Sequence, residues 1–159
     1  MKKICLSVFC VLVCLLSFSQ TLKKMTAAEL NSLIVQSEKP MVVSFWSTWC
    51  SSCVEEIPYF ISTITEKYGG QVDLLLVSLD IKSYYPQSIE TFAAKRNFNT
   101  SIAWLSESNA DVFCPLIDST WSGAIPSTLM VNNRKQYRKF YETGMTERQF
   151  VNNLDLMLK

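Results

Sequence analysis

The sequence predicts an α/β domain built on a central mixed β-sheet flanked by helices. First, "MVVSFW" (Met41 to Trp46) and "VDLLLVSLD" (Val72 to Asp80) are continuous apolar runs without alternation, the pattern of strands buried on both faces. Between them Val54, Ile57, Phe60, Ile61 and Ile64 recur at helical spacing, so the three segments form a right-handed βαβ unit with parallel strands. Finally, "STLMV" (Ser127 to Val131), an Asn132-Asn133 turn and residues 135–142 read as a hairpin, which adds antiparallel strands.

The remaining elements follow in order. Thr26 and Glu29 make a capping box that opens a helix running to about Ser37. Pro40 precedes the first buried strand, and the cysteine pair Cys50-Cys53 lies just past its end. The helix from Ser51 to Tyr68 stops at Gly69-Gly70, and Pro58 inside it is expected to kink it. After the second strand come a polar, aromatic loop "IKSYYPQ" and a helix from Ser88 to Arg96. "SIAWL" reads as an edge strand or loop, and "NADVFCPLI" as one or two helical turns. Thr146 starts a last amphipathic helix with Phe150, Leu154, Met157 and Leu158 on one face. No repeat, linker or low-complexity segment divides the chain.

The first residues, "MKKICLSVFCVLVCLLSFSQ", place two lysines before an apolar run from Ile4 to Phe18 and small residues at its end, the order of a secretory signal. The run is shorter than the roughly 20 residues that span a bilayer comfortably, which favours a cleaved leader over an anchor. We therefore divide the chain into a signal segment 1–19 and a domain 20–159, exported to a periplasmic or other extracytoplasmic space; the alternatives are a retained tether or lipidation at Cys14, where Val13 is larger than such processing prefers.

A net charge of +1, from 15 basic and 14 acidic residues spread along the chain, gives no footprint for nucleic acid or an anionic membrane. The chain has no histidine, which removes Ser-His-Asp hydrolysis, histidine-ligated haem and the commonest zinc and copper sites. No cofactor is expected. Loss of the leader removes Cys5, Cys10 and Cys14 and leaves Cys50, Cys53 and Cys114, too few for a disulfide scaffold.

Two cysteines at this spacing can hold a metal, staple a loop or exchange electrons. A zinc site needs two more ligands, for which only Cys114 or carboxylates remain. A loop this small removes little chain entropy when closed, so it is a poor staple. Electron exchange fits better, because Cys50 sits at a strand-to-helix junction where unsatisfied N–H groups and the positive dipole end stabilise a thiolate. Cys50 then attacks, and Cys53, one turn further in, resolves the mixed disulfide.

"FWSTWCSSC" followed by "EEIP", inside a βαβ unit, resembles the thioredoxin-like fold, and more closely the secreted TlpA/ResA-like thiol-disulfide oxidoreductases. "AIPSTLMVNNRKQ" is similar to the family's cis-proline loop, strand and turn, and "TGMTERQF" to the approach to its last helix. The resemblance implies that Cys50 is the exposed nucleophile, Cys53 the resolving thiol and Trp49 an aromatic flank. It implies a cis Ile125-Pro126 bond that presents the Ile125 backbone to an extended substrate segment. Glu56, on the helical face of Cys53, would modulate the thiols as glutamates do in ResA-like members, while Glu55 faces water. Tyr84, Tyr85 and Trp121 would rim the site, with core packing the alternative for Trp121; Cys114 is expected to be a plain unpaired thiol. The chain departs from thioredoxins proper in carrying Ser44 where they have a buried aspartate, and Ser51-Ser52 between the cysteines. The implied activity is reduction of disulfides in protein substrates, recharged by a membrane thiol electron donor, with cytochrome c maturation or general disulfide repair as tasks. The competing readings are a thioredoxin-fold peroxidase, for which no arginine lies near the cysteines, a non-catalytic binding module and a copper chaperone.

Overall fold

The computed structural model describes residues 22–159; the signal segment expected at 1–19, with Cys5, Cys10 and Cys14, lies outside the described residues. The elements are β1 (Lys23–Met25), α1 (Ala27–Val35), β2 (Met41–Trp46), α2 (Ser51–Tyr68), β3 (Asp73–Ser78), α3 (Gln87–Lys95), β4 (Ser101–Leu105), α4 (Ala110–Ile117), β5 (Ser127–Asn132), β6 (Tyr137–Tyr141) and α5 (Glu147–Leu158). They form one six-stranded sheet in the order β1-β4-β3-β2-β5-β6. β2 and β3 pair in parallel from Met41 opposite Asp73 to Trp46 opposite Ser78, as a βαβ unit requires. On its other edge β2 pairs antiparallel with β5, which pairs antiparallel with β6, so the sheet is mixed.

Alternation along the strands sorts the core into two layers. Val42 and Trp46 of β2 face α2, α3 and α5, where they meet Ile57, Phe60, Ile89, Phe150 and Leu154. Val43 and Phe45 face the opposite side, against Leu30 and Ile34 of α1 and Phe113 and Ile117 of α4. The Phe60 ring stacks on Phe150 with centroids 3.9 Å apart, joining α2 to α5. Phe60→Ala should therefore cost about 3–5 kcal/mol, the range for truncating a buried phenylalanine, read as a lower urea midpoint at unchanged slope.

Local signals are met where the sequence carries them. Thr26 accepts from the Glu29 backbone while the Glu29 carboxylate accepts from Thr26 N–H, completing the capping box. Thr146 and Gln149 do the same for α5. Gly69 ends α2 in the left-handed region at φ 47°, and α2 continues through Pro58 as one helix. Two expectations are corrected. "SIAWL" is neither an edge strand nor a loop: it is β4, an interior strand paired in parallel with both β3 and β1. The edge is the unanticipated β1, a three-residue strand whose two lysines suit an exposed edge. The hairpin turns one residue later than Asn132-Asn133, through a 3₁₀ turn at Asn133–Lys135 with Gln136 at φ 54°, because Asn132 is the last strand residue and its side chain donates to Met157 O.

Candidate functional site

The site lies where β2 ends. Trp46 closes the strand, the chain turns through Ser47, Thr48 and Trp49, and Cys50 becomes the N-cap of α2. Cys50 and Cys53 form a disulfide, with Cα atoms 5.3 Å apart. The Cys53 N–H, one of the otherwise unpaired donors of the first helical turn, points at Cys50 Sγ from 3.3 Å. Ser52 Oγ lies 3.6 Å from the same sulfur. Once the bond is reduced, these donors and the helix dipole stabilise negative charge on Cys50.

The resemblance implies an exposed Cys50 sulfur; the order of the pair holds but the extent is small, since Cys50 is 6% exposed and Cys53 0%. The Cys50 sulfur lies against the Cys53 N–H at the helix end, and the neighbouring Trp49, 68% exposed, supplies the outer surface instead.

Glu56 follows Cys53 by one helical turn, on the buried side of α2, and is 2% exposed, whereas Glu55 faces water. Its Oε2 accepts from Met145 N–H at 3.1 Å, and its Oε1 has no hydrogen-bond partner among the described residues. Burial pushes its carboxyl up to about 7, against the opposing effect of that one hydrogen bond. Tyr59, one turn from Glu56, donates to Met145 O, so α2 grips both sides of the same peptide segment before α5. Gly144 lies beside the same groups: a Cβ there would meet Glu56 Oε2 at 3.4 Å and Pro126 Cγ at 3.5 Å. Both are ordinary contact distances, so the carboxylate, the proline and the segment before α5 lie side by side here.

The Ile125-Pro126 bond is cis. It immediately precedes β5, whose Ser127 pairs with Phe45 of β2, so the loop comes down on the same end of the sheet as the cysteines. Ser44 and Thr128, opposite one another in that ladder, are buried with hydroxyls that find no partner among the described residues. Both belong to the alternation set that faces α2. Ser44 supplies no carboxyl there, which leaves Glu56 as the carboxyl on the helical face of Cys53.

Several residues escaped sequence reasoning. Asp80, buried just past β3, accepts from Thr48 N–H at 3.1 Å, Thr48 Oγ1 at 2.7 Å and Ser78 Oγ at 2.9 Å, tying the turn before Cys50 to the neighbouring strand. An aspartate at a strand end is unremarkable in sequence; its partner lies 32 residues away. Tyr85-Pro86 is a second cis bond. Trp121 does not rim the site: it is buried against Phe45, with centroids 4.4 Å apart, and against Phe113 and Phe140. Tyr85 stacks on Trp104 at 4.5 Å, which leaves Tyr84 as the exposed member of the pair. Cys114 is an unpaired thiol, as expected, buried in α4, and burial, aided by the Glu142 and Asp111 charges, pushes it up to about 11. No group of three or more potential metal ligands occurs among the described residues.

A Cys-x-x-Cys pair on a helix N-terminus, with a cis-proline loop at the same end of a mixed sheet, defines a thioredoxin-fold dithiol-disulfide protein. The thioredoxin family model matches residues 21–101, half of the chain, and the chain belongs to that family. It is 36% identical over 59 residues to a thioredoxin of Streptomyces clavuligerus, covering 37% of this chain and 53% of that one. The chain spans between 35% and 53% of the length of the first curated relatives it matches. Among solved structures it resembles a thioredoxin-related protein of Neisseria meningitidis serogroup B, with a TM-score of 0.64, 21% identity and coverage of 77% of this chain and 87% of that one. It also resembles a secreted Mycobacterium tuberculosis disulfide oxidoreductase described as homologous to Escherichia coli DsbE, with a TM-score of 0.58, 18% identity and coverage of 87% and 96%. These two likenesses establish the fold.

Proposed function

We propose that this thioredoxin-family protein is an extracytoplasmic reductase of protein disulfides, of the TlpA/ResA-like kind, working through the Cys50-Cys53 couple. The observation that carries the reading is the closed Cys50-Cys53 disulfide at the N-terminus of α2, with Cys53 N–H on the Cys50 sulfur. In the reduced protein the Cys50 thiolate attacks a substrate disulfide, forming a mixed disulfide and releasing one substrate sulfur as a thiolate that takes up a proton. Cys53 then loses its proton, attacks Cys50 Sγ and releases the second substrate sulfur; two electrons have passed to the substrate and the Cys50-Cys53 bond is restored. Glu56, with its carboxyl held near neutrality, is suited to accept the Cys53 proton in that second step. Trp49 and the backbone of Ile125 beside Pro126 form the surface on which an extended substrate segment lies.

Reduction is favoured over oxidation because Ser51 and Ser52 between the cysteines lack the histidine of strong oxidants. Continued turnover requires a thiol electron donor, which we place in the membrane, and the reading takes residues 1–19 as a leader and 20–159 as the exported domain. Support for export comes from the leader pattern and from the resemblance to a secreted oxidoreductase; no helix of the described residues is long and apolar enough to cross a membrane. Apocytochrome cysteines are one fitting substrate class and general disulfide repair another. In an insulin-reduction assay driven by dithiothreitol, the domain should accelerate reduction well above the dithiothreitol background. A rate equal to the background would refute the activity.

A further inference from the structure

The segment before Pro126 is held by a side chain that none of the site features requires. Glu142 lies just past β6, and its Oε1 accepts from Ser122 N–H at 2.9 Å, from the Ser122 hydroxyl and from Ala124 N–H at 3.1 Å. Three donors from one short loop thus converge on a single carboxylate oxygen. The loop is fixed from the other side as well. Trp121 Nε1 donates to Ala124 O at 2.9 Å, and Trp121 itself is anchored between Phe45 and Phe113. Gly123 sits at φ 95°, where an added Cβ would press on Ala110 Cβ at 3.2 Å, so the loop can lie close on α4 only with glycine there.

We propose that Glu142 is a positioning residue for substrate docking: by collecting the Ser122 and Ala124 donors it pre-shapes the loop that presents the Ile125 backbone, so that a peptide strand adds without first ordering it. This rests on the reading of Ile125 and Pro126 as the docking edge. The physical basis is preorganisation. An edge held in its bound shape loses less conformational freedom on binding, so affinity for an extended partner rises without a new contact. A small disulfide, which needs only the sulfur and no strand pairing, gains nothing from it.

The test uses the domain with Glu142→Ala and Glu142→Gln, because glutamine retains an Oε1 acceptor in the same place. Reduction of an extended protein disulfide and of a small aromatic disulfide are measured beside the Cys50-Cys53 potential. Glu142→Ala should lower kcat/KM for the protein substrate by roughly three- to tenfold, the value of losing about one net hydrogen bond's worth of organisation. Its rate with the small disulfide and its potential should be unchanged, and Glu142→Gln should recover most of the loss. An equal loss on both substrates, a shifted potential or no loss on the protein substrate overturns the proposal while leaving the reductase reading standing. A wild-type domain inactive on the protein substrate but active on the small disulfide overturns both.

Discussion

Cys50→Ser should abolish disulfide reduction, and Cys53→Ser should abolish turnover while accumulating a covalent adduct with the substrate. The two variants differ because the proposed mechanism gives the two sulfurs different work. Cys50 caps α2 and receives the Cys53 N–H, so it is the sulfur whose negative charge the helix end stabilises. A serine hydroxyl there is not ionised at neutral pH, and no attack occurs. Cys53 is fully buried, and the sulfur it attacks is Cys50 Sγ, once that sulfur is joined to the substrate. Without it the first exchange still proceeds, but the mixed disulfide has no internal thiol to release it. Non-reducing electrophoresis of Cys53→Ser after exposure to a disulfide-containing protein should show the adduct, which excess dithiothreitol dissolves. An adduct formed instead by Cys50→Ser would reverse the assignment.

Glu56→Gln should produce the second-largest effect, and its signature is in pH. The buried carboxyl titrates at about 7 against an ordinary value of 4.5. A raised carboxyl binds its proton more tightly in the folded protein than in the unfolded one. Stability from this group is therefore full below about pH 4.5, falls as pH rises towards 7 and is level above it. The total loss is at most about 3 kcal/mol, because holding a proton tenfold more tightly is worth about 1.4 kcal/mol. Denaturation midpoints of the wild type should fall across that window, and those of Glu56→Gln should not. Catalysis should lose roughly a hundredfold in resolution of the mixed disulfide near neutral pH, the low end of what a positioned acid or base supplies. Parallel pH curves for the two proteins would remove Glu56 from the proton path.

How much of this was readable in the chain follows from where each signal resides. β2, α2 and β3 were legible because burial on both faces of a strand and one face of a helix leaves a continuous or periodic apolar pattern in the residues themselves. The Cys50-Cys53 pair was legible for a similar reason: its chemistry depends on neighbours in the same strand-to-helix turn. Glu56 was also within reach, since its burial follows from the helical face of Cys53. β1 was not legible, because Lys23–Met25 is a strand only by virtue of pairing with β4, and three residues, two of them lysines, carry no pattern. Asp80 and Glu142 were invisible for a related reason. Their partners Thr48 and Ser122 are 32 and 20 residues away, brought near by the sheet rather than by spacing. Trp121 could be read equally as rim or core until Phe45, Phe113 and Phe140 were seen around it.

The direction of electron flow is the central claim, and the reduction potential of the Cys50-Cys53 couple tests it most directly, by equilibration with glutathione or dithiothreitol redox buffers and quantification of the free thiols. The reductase account predicts a value near that of thioredoxin, about −270 mV; a value near −120 mV, that of a strong oxidant, would contradict it.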